Sequence, residues 1–162
     1  MLQEEFLVSA SYFEGKKPIV IPHRGGRNIV PENTLHAIEN TYKEKFTHFE
    51  TDLRMSKDGV IFLHHDRSFD RTTDIKGNVH DFDWEDIKRI NAGATFYKKK
   101  GDHSSKTTFV SLEDALTTYK NLKFNLDLKQ GGMAEKVVKI IKSTKSIERV
   151  LVSSFSYRRL DE

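Results

Sequence analysis

Two histidines, two closely spaced acids and an arginine ahead of paired glycines are the residues here that could do chemistry: His23, Arg24, Glu50, Asp52 and His65. Glu50 and Asp52 stand two apart in a stretch, His48 to Arg54, that reads as a β-strand. Alternation puts both carboxylates on the face they share with His48 and Arg54. On a strand buried on both sides, two such acids repel and lose hydration unless a cation or several donors sit between them. An isolated Glu-x-Asp is more plainly a pair of surface carboxylates on an edge strand. A second strand argues against that here, because Phe124 to Lys129 places Asn125, Asp127 and Lys129 on one face and Leu126 and Leu128 on the other. Glu50, Asp52 and Asp127 are therefore candidate ligands for a hard divalent cation bound through oxygen, Mg²⁺ or Ca²⁺.

His23 and His65 each follow an apolar stretch that reads as a parallel strand, and α/β barrels gather their catalytic groups at such strand ends. Two histidines near a carboxylate-bound metal could divide the work of general base and general acid. Arg24 and the Gly25-Gly26 pair offer a guanidinium fork and exposed backbone N–H groups, which suit a phosphate oxygen. Taken alone, the same string is a strand-to-helix turn that needs glycine for its dihedrals. His36, His64, His80 and His103 receive no role.

The elements that must position these groups alternate short apolar strands with amphipathic helices, the signature of a parallel sheet joined by crossovers. The predicted strands are Ile19 to His23, His48 to Arg54, Val60 to Leu63, Phe124 to Lys129 and Val150 to Ser154. Lys57-Asp58-Gly59 reads as a tight turn between the second and third. A helix follows Pro31 with Leu35, Ile38, Tyr42 and Phe46 at helical spacing. Ser111-Leu112-Glu113-Asp114 matches a capping box opening another, and a third carries Ala134, Val137, Val138 and Ile141. Between Arg67 and about Val110 lies a long irregular segment with one short helix candidate, capped by Asp83 and burying Trp84, Ile87 and Ile90. Segments of that length usually carry function or an insertion.

Composition narrows the function classes. At 162 residues with 36% hydrophobic and 10% aromatic content, the chain suits one soluble globular domain. A net charge of +3, spread over both signs, gives no basic stripe for nucleic acid. The one dense run, Lys98-Lys99-Lys100 beside Gly101 and Asp102, reads as a solvated loop. The absence of cysteine excludes disulfides, thiolate nucleophiles and Cys-type zinc sites. Met1-Leu2-Gln3-Glu4-Glu5 is acidic rather than a signal-peptide start, and no apolar run reaches transmembrane length, so a cytoplasmic location is the expectation.

Taken in order, His23-Arg24-Gly25-Gly26, Pro31-Glu32-Asn33-Thr34, Glu50-Thr51-Asp52, Asp58-Gly59 and His65-Asp66 through Arg71-Thr72-Thr73 resemble the glycerophosphodiester phosphodiesterase family. Asn125 to Lys129 and Ser153-Ser154-Phe155 are similar to its next two strands, so the likeness runs from about Pro18 to Leu160. The resemblance implies an α/β TIM barrel of the (β/α)8 type that hydrolyses glycerophosphodiesters to glycerol phosphate and an alcohol. It implies that Glu50, Asp52 and Asp127 hold the divalent cation, that His23 and His65 are the acid-base pair, and that Arg24 and Lys129 contact phosphate. A cyclic phosphate, made by attack of a neighbouring glycerol hydroxyl and then opened by water, belongs to the same expectation. Asp127 stands where many members carry Glu, one methylene longer, so it would reach the ion after a small shift or through water.

A TIM barrel has eight strands in roughly 250 residues, whereas five strands are predicted here. The expectation is one glycerophosphodiester phosphodiesterase-like domain over residues 1–162, incomplete at its C-terminus, with further chain or a second copy closing the sheet. The alternative is a truncated, non-catalytic relative that binds phosphodiesters or a protein partner. A phospholipase D acting on lysophospholipid or sphingomyelin would call for disulfides or an apolar lipid-facing surface, and neither is visible.

Overall fold

A computed structural model describes residues 10–15 and 17–161. The acidic start from Met1 to Glu5 lies outside them. The centre of the fold is an open, mixed four-stranded sheet in the order β2-β1-β3-β4, formed by β1 (His48–Met55), β2 (Ile61–Leu63), β3 (Lys123–Leu128) and β4 (Val150–Ser153). The α/β class holds, but the sheet departs from the expected run of five parallel strands in two ways.

First, residues 19–22 are not a strand. Pro18 and Pro22 lack the N–H groups a ladder needs, and among the described residues the segment's one backbone hydrogen bond with β1 is donated by Glu50 N–H to the Pro22 carbonyl at 3.4 Å. The chain then turns through His23–Gly25, with Arg24, Gly25 and Gly26 all at positive φ. Second, β2 runs antiparallel to β1, pairing Leu53 with Leu63 and Met55 with Ile61. Only the short turn through Lys57-Asp58-Gly59 joins them, far less than a parallel crossover requires, so a hairpin is the one solution. Gly59 takes φ +88° there, and Ser56 donates its hydroxyl to Asp58 at 2.5 Å. His65 therefore does not end a parallel strand.

β1, β3 and β4 are parallel, and the register sets Glu50 opposite Asn125 and Asp52 opposite Asp127. Among the described residues six α-helices accompany the sheet: α1 (Leu35–Lys43), α2 (Trp84–Ile87), α3 (Ala94–Lys99), α4 (Leu112–Thr118), α5 (Ala134–Ser143) and α6 (Tyr157–Leu160). Side chains cap the first and fourth. Thr34 accepts from the Ala37 N–H at 3.3 Å and Ser111 from the Asp114 N–H at 3.0 Å, as Ser-x-x-Asp foretells. Helix α1 buries Ala37, Ile38 and Thr41, while Tyr42, expected inside, is exposed.

Two cores result. The larger is mostly aliphatic, with Phe49, Leu53, Phe124, Leu126 and Leu128 from the sheet packed against Ile38, Leu116 and Val137 from α1, α4 and α5. The smaller is mostly aromatic and lies under the long segment after β2: Phe62, Phe69, Val79, Ile87, Ala92 and Phe109. His64 belongs to it. Its ring stacks on Phe62, its Nε2–H donates to the Ser68 carbonyl at 3.0 Å, and burial pulls its pKa down to about 4. It is a structural residue.

Candidate active site

The residues singled out from the sequence fall into two groups linked by an ion-pair chain. The first is a cradle on β1 and β3. Asp52, 1% exposed, faces two cations: Lys129 Nζ lies 2.9 Å from Oδ1 and Arg24 Nε 3.0 Å from Oδ2, the latter close enough for an ion pair but not aligned as a hydrogen bond. Asn33 adds an N–H bond to Oδ2 at 2.9 Å. Lys129 also sits 2.6 Å from Asp127 Oδ2, so one ammonium bridges the two acids that the register sets side by side. Although burial acts against its charge, the bonds that Lys129 donates to Asp127 and Asp52 raise its pKa.

Glu50 completes the cradle. Its Oε2 accepts the Arg24 backbone N–H at 2.6 Å, and His23 Nε2 lies 3.9 Å away. Burial lifts Glu50 to about pKa 7 against the pull of that N–H, and the charges of Asp52 and Asp127 push it further in the same direction. The close approach depends on Gly25, since at φ +74° a Cβ would sit 2.6 Å from both Ala37 Cβ and the Phe49 ring. Burial, and then the neighbouring Arg24 guanidinium, lower the His23 pKa, which favours the neutral imidazole.

The second group is His65 and its supports. Nδ1 of His65 lies 2.6 Å from Asp66 Oδ1, which leaves Nε2 for chemistry. Arg71 donates to Asp66 Oδ2 at 2.6 Å and, through both terminal nitrogens, to Glu32 at 2.7 and 2.9 Å. Glu32 in turn accepts from Arg24 at 2.9 Å, which closes the link to the cradle. Burial alone would raise Glu32, but the bonds from Arg71 and then Arg24 outweigh it and hold its pKa near 2. Arg54, on the cradle face of β1, donates to the carbonyls of His65 at 2.8 and 3.0 Å and of Lys129 at 3.0 Å, tying both loops to the sheet.

Sequence reasoning gave no role to Glu32, Asn33, Arg54, Asp66 or Arg71. Four of them lie in the quoted motifs and Arg54 was placed on the right face. Their partners lie up to 75 residues away, and no spacing rule reaches that far.

For a divalent cation the donor chemistry fits: three carboxylates, with Asp127 Oδ1 buried and accepting no hydrogen bond. Among the described residues, however, no group of three or more metal-ligating side chains converges, and Lys129 supplies the positive charge between Asp52 and Asp127. No described helix is long and apolar enough to cross a membrane.

A cleft of about 610 Å³ opens beside the cradle, with Arg24 and His65 among its lining residues. Known proteins resemble the chain in sequence and fold. The pattern of the Glycerophosphoryl diester phosphodiesterase family matches residues 23–160. The chain is 36% identical over 149 residues to a glycerophosphodiester phosphodiesterase of Caldanaerobacter subterraneus subsp. tengcongensis, covering 89% of this chain and 60% of that one. Among solved structures it is similar to a glycerophosphodiester phosphodiesterase from Agrobacterium tumefaciens str. C58, with TM-score 0.75 and 28% identity over 84% of this chain and 57% of that one. An Oleispira antarctica phosphodiesterase, solved with the product sn-glycerol-3-phosphate, gives TM-score 0.74 and 28% identity over 89% and 60%. The chain thus spans about 60% of the length of two of the curated relatives it matches.

Proposed function

The chain belongs to the Glycerophosphoryl diester phosphodiesterase family, and from that premise we propose that its residues serve the metal-assisted hydrolysis of a glycerophosphodiester to glycerol phosphate and an alcohol. One observation carries the reading: three acids and two cations share a cradle in which Asp127 Oδ1 is buried without a donor, and His23 Nε2 stands 3.9 Å from Glu50 Oε2. Glu50, Asp52 and Asp127 would hold Mg²⁺ or Ca²⁺, which when bound neutralises phosphate charge and favours attack at phosphorus.

Arg24 and Lys129, the two cations of the cradle, bind the non-bridging phosphate oxygens. His23 accepts the proton of the glycerol hydroxyl next to the phosphate. As that oxygen bonds to phosphorus, the bond to the alcohol breaks, and His65 at the cleft wall protonates the departing oxygen. Water then opens the cyclic phosphate with the two histidines in reversed roles. Asp66 holds the His65 ring through Nδ1, so Nε2 carries the transferred proton.

The test is release of glycerol phosphate from glycerophosphocholine and other diesters, with Mg²⁺ or Ca²⁺ and with EDTA. Activity should vanish in EDTA and drop by about 10²- to 10⁴-fold in His23→Ala. Equal inertness of wild type and His23→Ala with every metal and every diester would refute the reading.

A further inference from the structure

We infer that the cleft beside His65 selects a diester whose leaving alcohol carries negative charge of its own, a phosphorylated polyol in preference to choline. The inference rests on the reading that the alcohol leaves on the His65 side.

Arg24, Arg27, Arg71, Lys99 and Lys100 line the cleft against two carboxylates, Glu32 and Asp66. Every oxygen of those carboxylates already has a basic partner. Glu32 Oε1 takes Arg24 and Arg71, Oε2 takes Arg71 again, and Asp66 gives one oxygen to His65 and the other to Arg71. Arg27, Lys99 and Lys100 remain with no carboxylate within 4.0 Å among the described residues. These exposed cations give the rim of the cleft an excess of positive charge, around a space of the size that holds a small molecule.

A quaternary ammonium is recognised by open aromatic faces and nearby carboxylates. Phe96 is the aromatic ring in this lining, and Lys100 Nζ already covers it at 5.7 Å from the centroid. A choline group entering here would meet like charge and an occupied ring. A phosphate carried on the alcohol would meet three unneutralised cations. The lysine run that reads as a solvated loop in the sequence thus acquires a task, since α3 and its C-cap bring Lys99 and Lys100 to the wall.

The experiment compares glycerophosphoinositol 4-phosphate with glycerophosphocholine, using wild type and a Lys99→Gln/Lys100→Gln double variant. Two readouts are taken: kcat/KM with Mg²⁺ or Ca²⁺, and Kd by calorimetry in EDTA. Wild type should favour the phosphorylated diester by at least about tenfold, as expected of two or three exposed ion pairs acting together. That preference should shrink in the double variant and with rising salt, while kcat/KM for glycerophosphocholine stays the same or rises. Equal binding of the two diesters, or a preference unchanged by the double variant, would overturn the inference. If neither diester is hydrolysed but the binding preference holds, the catalytic reading falls and the assignment of the cleft stands.

Discussion

The cradle on β1 and β3 and the cleft wall formed by residues 64–110 are held in place by different physics. In the cradle, sheet register fixes the acids: Asp52 stands beside Asp127 because the ladder leaves no other pairing, and a mostly aliphatic core backs the strands. In the wall, short elements with few ladder bonds rest on a compact aromatic cluster, and ion pairs stitch them to the sheet through Glu32, Asp66 and Arg71. Groups that must not move relative to one another sit on the sheet. The groups proposed to meet the variable part of a substrate sit on a segment with a small core of its own, which can change without disturbing the register.

The largest effect that would break this division comes from emptying each core. Phe124→Ala and Phe69→Ala remove fully buried rings, each at about 3–5 kcal/mol. Phe124 packs edge-on to Phe49 behind the cradle, so its loss should lower amide protection throughout β1, β3 and β4. Phe69 touches Phe62, Phe82 and Phe109, so its loss should expose amides within residues 64–110 while those of β3 stay protected. Hydrogen exchange reads both. Identical protection patterns in the two variants would mean that the regions unfold as one.

The two regions also carry opposite pH linkage. Glu50 is raised from its ordinary 4.5 to about 7 by burial and by the charges of Asp52 and Asp127. Folding then forces an ionised carboxylate into an unfavourable place, a penalty absent below pH 4.5 and complete above pH 7. Glu50→Gln should therefore stabilise the protein at pH 8, by on the order of 3 kcal/mol, have little effect near pH 4, and abolish activity. Denaturant midpoints at the two pH values check it; a variant no more stable at pH 8 than wild type refutes it. Mg²⁺ or Ca²⁺ should likewise stabilise wild type more at pH 8 than at pH 5.

Glu32 works in the other direction. Burial would raise it, but its bonds from Arg71 and Arg24 hold it near 2, so its stabilisation is present above pH 4.5 and lost as the pH falls through 2. Glu32→Gln should cost about 2 kcal/mol at pH 7, a figure reduced because Arg71 is about half exposed. The difference from wild type should close between pH 4.5 and 2. A stability gap that persists at pH 2 would show that packing, not charge, is what Glu32 contributes.

Which parts of this could be read in advance follows from the range of the interactions. Strand alternation is local, so the shared face of Glu50 and Asp52, and that of Asp127 and Lys129, was legible from spacing two. The direction of β2 was legible too, since Lys57-Asp58-Gly59 is too short for a crossover, yet the barrel pattern drew that strand parallel. The failed strand at residues 19–22 carries its own warning in Pro18 and Pro22. The chain from Arg24 through Glu32 and Arg71 to Asp66 could not be read, because each link joins loops whose approach is set by tertiary packing. Nor could the bridging of Asp52 and Asp127 by Lys129, which depends on the register between strands some 70 residues apart.

The smallest effect is expected where the two regions meet. Ser111 pairs with Phe62 across an isolated bridge and caps α4, accepting the Asp114 N–H at 3.0 Å while donating to the Asp114 carboxylate at 2.6 Å. Ser111→Ala should cost about 1 kcal/mol, the usual value of a lost N-cap. Leu112, Ala115 and Leu116 of α4 lie in the aliphatic core, whereas Phe109, two residues before the cap, lies in the aromatic one. Fraying of the first turn of α4 should therefore reach both. Modest loss of protection in α4 and around Phe109, with catalysis unchanged, is the outcome that keeps the two cores distinct but joined at this residue. Loss confined to α4 would place the joint elsewhere.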